Sequence, residues 1–165
     1  MKKKQESGRS MVEMVGVLAV MGLITAGAFV LINSGLKTQK RSSATDEIDV
    51  IAANVRAMVA QSENKDTPYS GLPANCTGNT ATTAKSLAAG LLGSDNSTVT
   101  SAYGTGTTYA VCRGDNDGKT FAVALSGIKA GECQALATRS YSHGSGSCAT
   151  GTGNNPNVVT ITFTE

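Results

Sequence analysis

The sequence has little of what most metal and catalytic sites require. It contains one His, His143, and aromatic residues make up only 4% of its 165 residues. The four Cys show no C-x-x-C spacing and one His cannot complete a ligand set, so we expect no zinc site. With so few aromatics, the four Tyr are interpreted as packing or surface residues rather than stacking platforms: Tyr69, Tyr103, Tyr109 and Tyr141.

Excess charge is also lacking. The formal net charge is +2, and residues 1–8 already contribute three Lys and one Glu, which is +2. The rest of the chain is therefore neutral on its side chains, since 2 − 2 is 0. Without a basic field or an acidic tail, no nucleic-acid partner is expected.

No catalytic set stands out. His143 lies in a Gly/Ser-rich stretch, so the nearby serines reflect local composition, and we find no carboxylate pair or phosphate-binding Gly loop. The segment 115–118 resembles a truncated calcium loop, but Lys119 stands where the third ligand would be. We therefore expect no enzyme activity, no metal and no cofactor.

Proline is absent between residues 10 and 62, which favours an uninterrupted helix. Residues 14–32 carry no charge, and nineteen residues are enough to cross a hydrocarbon core of about 30 Å. After this apolar segment (residues 14–32) one apolar stripe recurs at helical spacing. The stripe comprises Ile48, Ile51, Ala52, Val55, Met58 and Val59. One helix of about 50 residues is predicted; the alternative is two helices hinged at Gly35.

Glu13 is the unusual residue of this region. An acid beside a membrane-spanning segment is unfavourable, by about 3 kcal/mol at the bilayer centre and less near the edge. One interpretation is local: Ser10 and Glu13 have the spacing of a capping box, and Arg9 and Glu13 are four residues apart. The other is that Glu13 pairs with a positive charge from another subunit.

The four Cys all follow the apolar segment, at positions 76, 112, 133 and 148. An even number of Cys beyond a membrane segment is typical of disulfides in an oxidising compartment. Lysines before the segment place the N-terminus in the cytoplasm and the remainder outside. A cleaved secretory signal is the competing interpretation, because Ala26-Gly27-Ala28 has the form of a signal-peptidase site.

The N-terminus resembles the class III signal peptide of type IV pilins and pseudopilins. The matching features are the Lys-rich start, Gly8, Glu13 five residues later and the apolar helix. The resemblance implies that a prepilin peptidase cuts between Gly8 and Arg9, that Arg9 is then methylated, and that Glu13 pairs with a neighbour's N-terminal amine. Arg9 departs from the Phe, Met or Leu usual at that position.

The resemblance also implies the fold class: α+β, a long N-terminal helix on a small antiparallel sheet with a disulfide-closed C-terminal region. The expected division is a leader (1–8), an assembly helix (9–35) and a globular head (36–165). The head would contain the second half of the helix (36–62), a loop (63–97) and the sheet region (98–165). Within it we expect a helix over 83–92, a turn at 115–118 and strands over 98–103, 107–113, 119–125 and 157–164.

After a strand that ends at Gly127, a helix that carries Cys133 is predicted. This pattern resembles type IVb pilins, in which the Cys on this helix pairs with one near the last strand. That resemblance implies a Cys133–Cys148 bridge and leaves Cys76 and Cys112 as the second pair; the count alone allows three pairings. The Gly/Ser/Asn-rich segment 139–157 is not expected to order itself.

The resemblance implies a structural subunit of a type IVb-like pilus, held in the bacterial inner membrane and then polymerised into an extracellular filament. Such a filament would serve adhesion, aggregation, motility or conjugation. Implied partners are other copies of the chain, the prepilin peptidase, the inner-membrane assembly machinery and an outer-membrane secretin. The alternatives are a minor pilin or secretion pseudopilin, and a membrane-anchored binding domain.

In the filaments of this family, part of the long helix stretches or loses its helical hydrogen bonds. Here the stretch 22–27, with its two Gly, is expected to be that soft point.

Overall fold

The computed structural model describes residues 11–61, 64–76, 81–94, 98–151 and 156–164. The helices are α1 (Met11–Val59), α2 (Ala81–Leu91) and α3 (Ala130–Ala137). The strands are β1 (Thr108–Arg113), β2 (Phe121–Ile128), β3 (Gly144–Ala149) and β4 (Asn157–Phe163). The predicted fold class is confirmed: a long N-terminal helix, a small antiparallel sheet and two disulfides.

Helix α1 is continuous over 49 residues, as the absence of Pro predicts. The alternative of two helices hinged at Gly35 is wrong, because one Gly costs only about 1 kcal/mol in a helix interior and does not break it. The chain divides into two compact units, Met1–Gln39 and Lys40–Glu165. We call the second unit the head. The soft point at 22–27 concerns a filament and stays a prediction.

Within the head, α1 buries one stripe of small and branched side chains. Its members recur at intervals of three and four residues: Ala44, Ile48, Ile51, Ala52 and Val55. The sequence pattern places Met58 on the same stripe, and this is wrong, since Met58 remains 43% exposed. Val59, which the predicted stripe also contains, is half-buried against the core and is confirmed as its last member.

The sheet is antiparallel in the strand order β1-β2-β4-β3. Strand β4 alternates as the sequence predicts, with Val159, Ile161 and Phe163 buried. The strand expected over 98–103 does not form, and only an isolated bridge joins Thr100 to Thr108. Two glycines at positive φ, Gly104 and Gly106, turn the chain back before a ladder can develop.

The largest difference from expectation is β3. The segment 139–157 is predicted to be irregular, yet residues 144–149 pair with β4 along their whole length. The free edge of β4 supplies backbone N–H and C=O groups, and the segment has no such partners within itself. Gly146 is required here, because a Cβ atom would collide with the backbone of Ala137 on α3.

Candidate functional site

The first candidate site is the exposed surface of α1 before the head. Every residue from 11 to 40 is exposed, including large apolar side chains such as Leu23 at 77% and Phe29 at 68%. A helix this long and apolar, with a mean hydropathy of 2.5 in its best window, is compatible with crossing a membrane. Continuous apolar surface on this scale calls for lipid or protein to cover it.

Glu13 is the one charged residue of the helix between positions 11 and 36. It lies in the first turn of α1 and is exposed. A carboxylate in the first turn interacts favourably with the positive end of the helix dipole, which is consistent with the capping interpretation. Gly8, Arg9 and Ser10 lie outside the described residues, so cleavage, methylation and capping by Ser10 stay predictions.

The helix satisfies its own polar side chain within the apolar segment. The Thr25 hydroxyl donates a hydrogen bond to the Met21 carbonyl oxygen at 2.7 Å. Without such a bond, a hydroxyl in hydrocarbon would carry the free-energy cost of an unpaired polar group. Thr25 therefore presents no obstacle to lipid around this part of α1.

The second candidate site is a charged cluster between α1 and α3. Arg41 makes two hydrogen bonds to the carboxylate of Glu132, at 2.6 Å and 3.0 Å. Tyr103 donates to Glu132 at 3.4 Å, and Arg139 donates to the Thr45 hydroxyl at 2.6 Å. The sequence analysis missed this cluster, because Arg41 and Glu132 are 91 positions apart and no local pattern connects them.

The Tyr residues pack in the head, as the sequence analysis expects. Tyr69, Tyr109 and Tyr141 are buried, and the Tyr109 hydroxyl donates to Glu47 at 2.5 Å. Burial and the bond to Glu47 raise the pKa of Tyr109 above its ordinary value. Burial also raises the pKa of Tyr141.

Three aromatic rings pack together in the core of the head. Phe121 and Phe163 are stacked with centroids 5.0 Å apart, and Tyr69 packs on Phe121 at the same separation. The Arg56 guanidinium carbon lies 5.4 Å from the Phe163 ring centroid. Such a cation–π contact adds about 0.5–1 kcal/mol at a partly exposed site, so Arg56 stabilises the head from α1.

These tyrosines lead to a pH prediction. Burial, with a contribution from the neighbouring Glu132, raises the pKa of Tyr103 from 10.0 to about 12. The folded state therefore keeps the phenol proton after the unfolded state has lost it. The stability that this pKa difference contributes is present below pH 10 and is lost as the pH rises through about 12. We expect the Tm to fall less steeply over that range in Tyr103→Phe than in wild type, measured by circular dichroism. Equal slopes would contradict this assignment.

Both disulfides lie in the head. One joins Cys76, in the segment before α2, to Cys112 on β1, and the other joins Cys133 on α3 to Cys148 on β3. These are the two pairs that the sequence analysis favours. Cys112 and Cys133 are buried, which shields the bridges from reductants.

His143 is exposed and occupies a turn at a φ of 60°. In the described ranges, no three His, Cys, Asp or Glu residues are grouped to hold a metal ion. The surface has shallow depressions of about 340 Å³ and 420 Å³, the larger one between the end of α1, residues 68–72 and α2.

Comparison of the chain with protein-family models, with curated proteins and with solved structures found no match. The resemblance to pilins therefore depends on the N-terminal motif and on the architecture of the chain itself. The structure adds two features. The N-terminal helix is apolar, exposed and compatible with membrane anchoring, and the chain after it forms an α+β head.

Proposed function

We propose that this chain is the structural subunit of a type IV pilus, of type IVb-like character. It would be held in the inner membrane as a prepilin and then polymerised into a helical filament outside the cell. The observation that carries the proposal is the apolar surface of α1, exposed over 11–36 and interrupted by one carboxylate, Glu13. A plain anchor explains the apolar surface but gives no reason for the acid.

The two environments of α1 make different demands on it. In a bilayer, lipid covers the apolar side chains, and no hydrophobic force drives one helix toward another. Transfer from lipid into a filament core then needs another favourable term. A carboxylate that meets a neighbour's N-terminal amine supplies it, because a charge-assisted hydrogen bond is strong where water is excluded. The position of Glu13 in the first turn of α1 supports this role.

The head suits the outside of such a filament. Its two disulfides are consistent with an oxidising exterior. The exposed side chains of β3 are small and polar, such as Ser145 and Ser147. These features favour a durable outer surface, to which β3 contributes small uncharged side chains, while the apolar contacts needed for polymerisation come from α1.

Mass spectrometry of the protein from membranes tests the proposal. We expect a mature chain that begins at Arg9, with or without a methyl group on its amine, and surface filaments of the same protein by electron microscopy. A chain that begins at Phe29 or retains Met1 would contradict the proposal. Correct cleavage with only scarce or short filaments would favour a minor pilin or pseudopilin. An uncut, unpolymerised chain that binds a surface ligand would favour an anchored binding domain.

A further inference from the structure

The head contains a narrow slot that β3 fills. One side of the slot is the edge of β4, with which β3 pairs along its whole length, and α3 packs against both strands. The inward residues of β3, on the side of α3, are Gly144, Gly146 and Cys148. We call the space between α3 and the edge of β4 the β3 slot.

The slot accepts a strand only if that strand has Gly at two inward positions. A Cβ atom on Gly146 would collide with the backbone of Ala137 on α3, and a backbone cannot rotate away as a side chain can. A Cβ atom on Gly144 would lie 2.9 Å from the Phe163 ring and from the Cβ atom of Tyr141. None of the other described strands has Gly at alternate positions. The shape of the slot therefore selects the sequence of β3.

Strand β3 itself buries no large side chain. Its outward residues, Ser145, Ser147 and Ala149, are exposed. Its covalent attachment across the slot is the bridge from Cys148 to Cys133, which is buried on α3. Small exposed side chains contribute little to packing. Backbone pairing with β4 and this one bridge therefore hold the strand in place.

The chain around β3 is long enough to carry the strand elsewhere. Tyr141, just before β3, is buried, and its hydroxyl donates a hydrogen bond to the Leu136 carbonyl oxygen at 3.1 Å, so 141–149 is the packed element. The connections on either side, 138–140 and 150–156, can extend to about 10 Å and about 24 Å. Neighbouring strands of a sheet are about 4.8 Å apart. These connections can therefore reach the slot of a second head whose β3 edge lies alongside.

The bridge can be opened from the β3 side. Cys133 is fully buried, whereas Cys148 is half-buried. A small-molecule thiolate therefore attacks Sγ of Cys148, the S–S bond breaks, and Cys133 leaves as the thiolate. The mixed disulfide on Cys148 closes again when a Cys133 thiolate attacks the same sulfur and releases the small thiol. This exchange needs no net oxidant, and its chemistry does not specify which copy supplies Cys133.

We propose that the β3 slot of one copy accepts β3 of a second copy, so that the bridge joins Cys133 of one chain to Cys148 of the other. Fit identifies the occupant, since two inward Gly and an inward Cys occur together in β3 and in no other described strand. Two copies of the element meet without charge repulsion, because residues 140–151 contain no Asp, Glu, Lys or Arg. The exchange rebuilds the same contacts while it links two heads covalently.

The test mixes two single variants of the full chain in detergent micelles, at a temperature where circular dichroism shows both heads folded. Cys133→Ala keeps the thiol of β3 but has no receiving thiol, and Cys148→Ala keeps the receiving thiol on α3. All four Cys are paired in the wild type, and Cys76–Cys112 is unchanged in both variants, so one thiol remains in each. Oxidised glutathione is the oxidant: two protein thiols form one bridge, and the glutathione disulfide becomes two glutathione thiols.

We expect a covalent heterodimer on non-reducing gels, in which mass spectrometry finds Cys133 linked to Cys148. Docking in the slot raises the effective concentration of the two thiols, so the heterodimer should exceed each homodimer by more than the roughly twofold ratio of random pairing. A heterodimer at or below that ratio, or none at all, would overturn the inference.

A matched pair of substitutions in the Cys133→Ala donor tests the fit. Gly146→Ala places a Cβ atom against Ala137 of the receiving copy and should lower the heterodimer yield by about fivefold or more. Ser147→Ala, at the adjacent outward position, should leave the yield unchanged. Equal yields from the two donors would show that the thiols meet outside the slot and would refute the exchange. The proposed filament is not used in this test, so that result would leave the proposed function standing.

Discussion

Glu13→Ala is expected to abolish surface filaments while leaving the membrane level of the protein and its cleavage after Gly8 unchanged. Removing one partner of a buried ion pair costs about 3–5 kcal/mol, because the other charge stays buried and unpaired. That loss lowers the affinity between subunits by more than about 100-fold. Immunoblots of sheared cell-surface fractions measure the filament, and mass spectrometry of the membrane fraction measures the cut.

Two controls separate pairing from a general effect of charge. Asp46→Ala removes an exposed carboxylate from the same helix and should leave filaments at the wild-type level. Glu13→Asp keeps the charge one methylene further from a partner and should restore part of the filament yield. Wild-type filaments in Glu13→Ala would leave Glu13 with its local role as a capping acid, worth about 1 kcal/mol or less.

Cys133→Ala with Cys148→Ala is expected to release β3 from the sheet. The inward positions of β3 are Gly144, Gly146 and Cys148, so Cys148 is the only inward side chain beyond the backbone. The bridge spans 15 residues, and closing such a loop stabilises the folded state by about 3 kcal/mol. We expect a Tm about 10 °C lower, and fast hydrogen exchange at the β3 amides.

The other disulfide provides the comparison. Cys76–Cys112 spans 36 residues, so chain entropy alone predicts the larger loss, about 4 kcal/mol. Strand β1 is nevertheless held by two fully buried side chains, Tyr109 and Val111. Cys76→Ala with Cys112→Ala should therefore lower the Tm without selective exchange at β3. Selective exposure of β3 in this variant, or its full protection in Cys133→Ala with Cys148→Ala, would contradict the distinct role of the Cys148 bridge.

The apolar segment and the Cys residues show how much the sequence alone can predict. A run without charge or Pro is a local property, so the long helix, α2, β4 and the turn at 115–118 follow from spacing and composition. The exposed Glu13 is equally visible in the sequence. Its partner is not, because that partner belongs to another molecule in the proposed filament.

Strand β3 and the Arg41–Glu132 ion pair show what local pattern leaves out. The stretch GSGSCA has no strand preference of its own, and it becomes a strand only because β4 offers an open edge and Cys148 ties it to α3. The ion pair joins Arg41 to Glu132, which lies 91 positions later. No spacing rule connects residues that far apart.

By itself the sequence determined the single long helix, its apolar first part and the one acid before it, because each depends on residues adjacent in the chain. Only the tertiary structure decided that the Arg41 charge is paired and that β3 forms. The physical reason is that ion pairing and strand addition depend on distances through space, which are set only when α1, α3 and the sheet pack together.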